Sequence, residues 1–217
     1  DPKNQYFISY LGKLIDHNHV CIILQEYGIS LFRALRDINF QPFGSTAIRF
    51  ILFKVVLGVQ LLHEIGFIHT DIKSDNILLP PNFDLNLLSY SEGTQSEPSS
   101  DDLKSSEPHQ KTALNLGEKS HKIHRSLGIK DFEARLIDFN SFVSSKHWHT
   151  RLASTRKYRA PEILMGLRWG KESDIWSLGC LLVELAYGTI YFSAPDDDLH
   201  LFLIQHCISP FPEWMSQ

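Results

Sequence analysis

Twelve glycines are scattered through the 217 residues, and no two of them form part of a Gly-x-Gly-x-x-Gly pattern. A glycine-rich cradle for a phosphate chain is therefore excluded within this stretch. The three cysteines, Cys21, Cys180 and Cys207, lie far apart among apolar neighbours. That excludes a disulfide framework and predicts buried thiols in a reducing compartment, nucleus or cytoplasm. No apolar run approaches eighteen residues, because Arg49, Lys54 and Glu184 break the longest candidates, so no membrane span is expected. The formal charge of −4 lacks the basic excess of a dedicated nucleic-acid binder. His121-x-x-His124 and His147-Trp148-His149 lack the further ligands of a zinc site. The chain opens on Asp1-Pro2-Lys3, with neither Met nor a signal-like apolar core, and reads as a piece of something longer. What remains, 43% hydrophobic and 21% charged, describes a soluble globular monomer able to bury one good core.

The chemistry is concentrated in Phe67-Ile68-His69-Thr70-Asp71-Ile72-Lys73-Ser74-Asp75-Asn76-Ile77-Leu78-Leu79. An acid, a base and an amide, Asp71, Lys73 and Asn76, share a short loop between two apolar runs. Phosphoryl transfer needs that combination. The attacking hydroxyl must be oriented and relieved of its proton, which Asp71 can do. The charge developing on the γ-phosphate must be neutralised, a task for Lys73. A metal ion needs oxygen ligands, and Asn76 can supply one. Asp138-Phe139-Asn140, after Leu136-Ile137, offers a second metal carboxylate, and Ala160-Pro161-Glu162 and Asp174-Ile175-Trp176-Ser177 follow. An Asp-x-Lys turn alone occurs by chance in many proteins. The ordered set is specific.

These residues resemble the C-terminal lobe of a eukaryotic protein kinase. His69-Thr70-Asp71 matches the catalytic loop, Asp138-Phe139-Asn140 the metal-binding tripeptide, and Ala160-Pro161-Glu162 the end of the activation segment. The finer resemblance is to the LAMMER (CDC-like, CLK) dual-specificity kinases, which also carry Thr within the catalytic triplet. Their activation segments are similar to Ser154-Thr155-Arg156-Lys157-Tyr158-Arg159-Ala160-Pro161-Glu162, and they too have a Gly-Trp near the place of Trp169. The resemblance implies an α+β, protein-kinase-like fold, with a mainly helical C-terminal lobe at 27–217 and the remnant of an N-terminal-lobe sheet at 1–26. It implies an enzyme using ATP and Mg²⁺ to phosphorylate Ser, Thr and also Tyr of protein substrates, Ser/Arg-rich splicing proteins among them. Asp71, Lys73 and Thr155 would be catalytic, Thr155 by bonding the other two, and Asn76 and Asp138 would hold the metal. Leu24 would sit as gatekeeper beside the adenine, Gln25 to Tyr27 would form the hinge, and Leu78 the floor. With no glycine loop and no upstream Lys–Glu pair, the chain alone is expected to be inactive.

Along the chain, Tyr6 to Leu14 and Val20 to Gln25 read as strands joined by a polar turn. Thr46 to Glu64 has helical spacing through Ile48, Ile51, Leu52, Val55, Val59 and Leu62, with Gly66 as its stop. Glu172 to Tyr187 is expected to present Ile175, Leu178, Leu182 and Leu185 on one face. From about 81 to 133 the chain turns polar, Ser- and Pro-rich and aperiodic, which reads as a disordered insertion. The usual Gly of the metal tripeptide is Asn140 here, a residue that tolerates left-handed backbone. Leu199 to His206 stands where the LAMMER motif falls, but only His200-Leu201 match it. Two alternatives stay open. An SR-protein kinase shares His-Thr-Asp-Ile-Lys but departs from Ala-Pro-Glu, and a pseudokinase scaffold would lack the upstream phosphate-binding elements.

Overall fold

The computed structural model describes residues 5–89 and 133–215. β1 (Tyr10–Asp16) and β2 (His19–Leu24) form an antiparallel hairpin closed by the Asp16–His19 pair. His17 and Asn18 take φ of 45° and 63°, the left-handed conformation that a two-residue turn demands between twisted strands. The first strand starts later than its β-rich sequence suggests. Phe7 instead bridges Leu136, with Ile8 N donating to Leu136 O at 3.3 Å.

α1 (Leu31–Asp37) begins at Ser30, whose Oγ accepts from Arg33 N. α2 (Ser45–Glu64) buries Ala47, Ile51, Val55, Val59 and Leu62, the three-to-four spacing of one stripe. Contrary to expectation, α2 is long and apolar enough to cross a membrane by composition, Arg49 and Lys54 notwithstanding. Its buried stripe packs in the protein core.

Gly66, at φ 95°, then turns the chain into β3 (Phe67–Ile68). β4 (Ile77–Leu78) follows nine residues on, β5 is Arg135–Leu136 and β6 is Val143–Ser144. β3 pairs with β6 and β4 with β5, so the loop from His69 to Asn76 is clamped at both ends by short antiparallel ladders. α3 (Pro161–Leu164) starts on a proline, whose missing N–H is no loss at a first turn. α4 (Glu172–Tyr187) stops at Gly188, φ 69°. A Cβ there would fall 1.8 Å from Phe40 O, so only glycine fits. α5 (Asp197–Cys207) is capped by Asp196, which accepts from Leu199 N at 2.8 Å.

The main core joins α1, α2, α4 and the β4–β5 ladder through Leu35, Ile51, Val55, Ile77, Leu136 and Leu181. Three expectations are corrected. α4 does not bury one simple face: Leu178, Leu181 and Leu185 enter the main core and Cys180 a second cluster, while Ile175 and Leu182 are exposed. The helix is packed on two sides, so a one-stripe reading misplaces residues at the edges. Of the cysteines only Cys180 is buried; Cys21 is intermediate and Cys207 exposed. The polar insertion does not begin at 81. Leu88 is fully buried, and its carbonyl accepts from Gly44 N at 2.6 Å. Residues 90–132, with His121 and His124, lie outside the described residues.

Candidate active site

The loop is fixed from beneath by α4. Asp174, wholly buried, accepts from His69 N and Thr70 N, each at 2.9 Å, and its Oδ2 lies 2.8 Å from His63 Nε2. Buried N–H groups without an acceptor cost about 1–3 kcal/mol each, so Asp174 makes a tight bend possible here. Thr70 sits in left-handed backbone at φ 70°. The His69 ring closes the inner side: Nδ1 faces Asp71 N at 3.3 Å and Nε2 faces Ile137 O at 3.1 Å. Those partners fit a neutral imidazole donating from Nε2, and burial holds its pKa below the ordinary value.

Asp71 is the centre of the site. Its Oδ1 accepts from Thr155 Oγ1 at 2.6 Å and Thr155 N at 3.1 Å. Oδ2 accepts from Lys73 Nζ at 2.8 Å and Asn76 Nδ2 at 3.2 Å. Lys73 Nζ also donates to Thr155 Oγ1 at 3.0 Å. Partial burial pushes the Asp71 carboxyl up, but the hydrogen bonds from Lys73 and Thr155 outweigh it and hold the pKa below the usual carboxylate value. Asp71 is therefore an ionised acceptor at neutral pH, and four donors fill its roughly four lone-pair positions. The Asn76 contact is the longest of the four.

Asn76 Nδ2 donates in addition to Asp71 O at 2.9 Å. Its donor side is thus spent on the loop, and the amide oxygen is left for a ligand. Asp138 stands in left-handed backbone at φ 64°; its carboxylate accepts one long bond, from Asn140 N at 3.4 Å, and forms no ion pair among the described residues. One carboxylate and one amide oxygen form a hard donor set. With phosphate oxygens and water they suit Mg²⁺, which seldom relies on protein ligands alone. The expectation for the tripeptide is corrected on one point: the left-handed residue is Asp138, not Asn140.

The proposed nucleotide-side residues gather at the other face. Leu24 ends β2 half exposed, and Gln25 N donates to Ser9 O at 2.8 Å. Gln25 Oε1 accepts from Arg135 Nη1 at 2.7 Å, the Arg135 guanidinium lies 4.4 Å from the Tyr27 ring centre, and Tyr27 OH donates to Glu133 at 3.2 Å. Both side chains thus turn to β5. Among the described residues, no backbone hydrogen bond outside the helices and strands uses the N–H or C=O of Tyr27, which leaves them for a ligand. Leu78 is half-buried in β4 and bridges Ser30, with Leu79 N donating to Ile29 O at 2.8 Å. A Cβ on Gly28 would fall 2.4 Å from Leu79 O, so the hinge lies directly against the chain leaving the loop.

Sequence reasoning passed over Ser74 and Glu184, which meet Tyr158 beneath the loop, and over His63 behind Asp174. His63 and Glu184 gave a usable signal, as polar residues on apolar helices. Ser74 gave none.

A phosphotransferase-type site set in a mainly helical fold is the class that these elements and this geometry define. The protein kinase domain family matches residues 3–106 and 124–212, and the chain belongs to that family. Within it the chain is similar to dual specificity protein kinase lkh1 of Schizosaccharomyces pombe, 32% identical over 97% of this chain and 26% of the relative. It is likewise similar to serine/threonine-protein kinase AFC2 of Arabidopsis thaliana, at 33% over 91% of this chain and 41% of the relative. The crystallised kinase domain of PF14_0431 superposes with a TM-score of 0.75 at 27% identity, over 99% of this chain and 56% of that one. The chain thus spans about a quarter to two-fifths of the length of these two curated relatives. They are LAMMER-type kinases, in keeping with the resemblance of the activation segment.

Proposed function

We propose that the protein transfers the γ-phosphoryl group of ATP to Ser or Thr, and also Tyr, of protein substrates. The observation that carries this reading is the Asp71–Lys73–Thr155 cluster, whose side-chain contacts lie between 2.6 and 3.0 Å. Asp71 would orient the acceptor hydroxyl and take its proton, the hydroxyl displacing the long Asn76 contact. Lys73 would meet the γ-phosphate, and Thr155 would keep both side chains in register. Asn76 and Asp138 would hold Mg²⁺, which supplies charge neutralisation on the phosphates. The Tyr27 backbone would receive the adenine edge, with Leu24 and Leu78 on either side. The likeness to LAMMER-type kinases supports Ser/Arg-rich splicing proteins as substrates and the nucleus or cytoplasm as the place of action.

The test uses the full-length protein with Mg-ATP and an Arg/Ser-rich peptide. Asp71→Asn should lower turnover by about 10²–10⁴-fold, the range of a lost general base, and leave Mg-ATP affinity unchanged. Asp138→Asn should weaken Mg-ATP binding as well. Equal effects of the two changes on nucleotide binding would contradict the assignment.

A further inference from the structure

We propose that Ser74, Tyr158 and Glu184 act as one positioning unit for phosphoryl transfer, in which Ser74 ties the catalytic loop to the segment that follows Thr155. The inference rests on the kinase reading above, and adds to it a contact behind the reaction centre. Ser74 Oγ donates to Glu184 Oε1 at 3.0 Å and lies 3.2 Å from Tyr158 OH, and Tyr158 OH donates to Glu184 Oε2 at 2.6 Å. All three residues are buried, at 0, 5 and 3% exposure. None of the three is assigned above to nucleotide, metal or acceptor, but their neighbours are: Lys73 precedes Ser74, and Thr155 lies three residues before Tyr158.

The geometry explains why such a unit would matter. Asp174 holds the entrance of the loop at His69 and Thr70, and Glu184 holds its exit at Ser74. Both belong to α4, ten residues apart, which is about 15 Å along a rigid helix. The loop is therefore strung between two fixed points of one element. Tyr158 brings the acceptor-side segment to the second point, so the two halves of the site share an anchor. At the front, Lys73, Asp71 and Thr155 join the same two halves through groups that the reaction must use. A rear contact lets those front groups exchange partners during turnover without the halves drifting. Displacements of about 1 Å in such sites cost on the order of 100-fold in rate.

Counting hydrogens sharpens the point. The four oxygens of the three side chains make three contacts. With Glu184 ionised, the two hydroxyl hydrogens both go to the carboxylate, and the Ser74–Tyr158 contact has none. With Glu184 protonated, a third hydrogen closes the ring and every contact is satisfied. Burial pushes the Glu184 carboxyl up; the two hydroxyls and Lys157 oppose this, and Asp75 adds to it. Cys180, also on α4, is the remaining titratable neighbour, and its thiol is pushed up to about 12 by burial and by Glu184. A glutamine at 184 can donate and accept in the same places, so it should preserve the ring, whereas leucine cannot.

The experiment compares Ser74→Ala, Tyr158→Phe, their double variant, Glu184→Gln and Glu184→Leu in the full-length protein. Readouts are kcat, KM for ATP, and amide exchange at residues 74–76. Ser74→Ala and Tyr158→Phe should each lower kcat by about tenfold, within the cost of sub-ångström misplacement, with KM for ATP within twofold. The double variant should be no worse than the poorer single one, because each change breaks the same unit. Glu184→Gln should stay near the parent, and Glu184→Leu should match the hydroxyl deletions. Ser74→Ala at parental kcat, losses that multiply in the double variant, or activity restored merely by assaying at lower temperature would overturn the proposal. If the parent protein shows no turnover, the kinase reading falls, and amide exchange decides the unit by itself. Tyr158→Phe should then speed exchange at residues 74–76 about tenfold, as expected when a local anchor is lost, and unchanged exchange would refute it.

Discussion

The loop from His69 to Asn76, with Ile72 as its one apolar residue, and the apolar-rich β1–β2 hairpin have opposite environments. In the loop His69, Ile72 and Ser74 are fully buried, and Thr70 and Asn76 nearly so. In the hairpin every residue except Gly12 and Cys21 is exposed, and Ile15, Val20 and Ile22 are at 74, 67 and 64%. The loop has almost no secondary structure of its own and is held by side chains from α2, α4 and the activation segment. The hairpin has a regular ladder and little else, and a lone two-stranded ribbon is marginal in water. Regularity and stability are thus separated in this chain: the irregular stretch is the firm one. The proposed chemistry sits on it because a site needs fixed neighbours more than it needs a ladder.

The largest effect should come from Asp174→Ala. It strips the acceptor from two buried N–H groups and from His63, and should cost about 3–5 kcal/mol, the range for breaking a buried charged network. Chemical denaturation measures it directly. A loss under about 1 kcal/mol would mean that the loop is held elsewhere and the contrast with the hairpin is false.

A matched pair comes next. Ile72→Ala removes a fully buried side chain and should cost about 2–5 kcal/mol through lost burial and the cavity left behind. Ile22→Ala, the same change in the hairpin, should stay within about 0.5 kcal/mol. Equal losses would show that the hairpin's exposed side chains are packed in solution.

Much of the loop was legible because its chemistry is contiguous: Asp71, Lys73 and Asn76 fall within six residues, and Thr155 and Asp174 sit in recognisable strings. The anchor at Ser74 was not, since its partners lie 84 and 110 positions away and no local pattern ties them to it. The β-type runs suggested strands in the hairpin correctly but could not tell which face is covered, and here neither is. On α4 the error was one of period. A helix buried on two sides has no single stripe, and so Ile175 and Leu182 were assigned to a core that they do not enter. Asn140 misled through composition, since the residue that bends is its neighbour Asp138.

A smaller effect should follow from pH. Burial depresses the pKa of His69 from its ordinary 6.5, so the unfolded chain takes up this proton more readily than the folded one. Its contribution is complete above pH 6.5 and is lost as pH falls from there toward the depressed value. Glu162 and Glu184, whose carboxyls burial pushes up, act with the opposite sign. The difference between parent and His69→Gln isolates the histidine. The gap between their denaturation midpoints should narrow from pH 7.5 to pH 5.5; a constant gap would show that His69 is not buried neutral.

The smallest effect is expected in the activation segment, which lies between the two extremes. Kinases switched by a loop phosphate usually place Arg before the catalytic Asp, where its guanidinium pairs with that phosphate. Thr70 stands there, and its hydroxyl donates to Ser141 O at 2.9 Å. Further along, the backbones of His149 and Trp169 bond each other, the His149 ring meets Ser144 O at 2.7 Å, and Trp169 Nε1 donates to Arg151 O at 3.0 Å. Arg159 adds bonds to Ala153 O and Ser154 O at 2.9 and 2.8 Å. The segment is thus fastened to the loop and to the chain before α4 by carbonyl contacts that need no phosphate. Replacing Ser141, Ser144, Ser145 and Thr150 together by Ala in the full-length protein, and sparing Thr155, should leave phosphatase-treated activity within about threefold of the parent, the size of an ordinary surface change. A hundredfold loss recovered by an acidic residue at one of those sites would place the activation segment with the weakly held hairpin instead, ordered only when a charge is added.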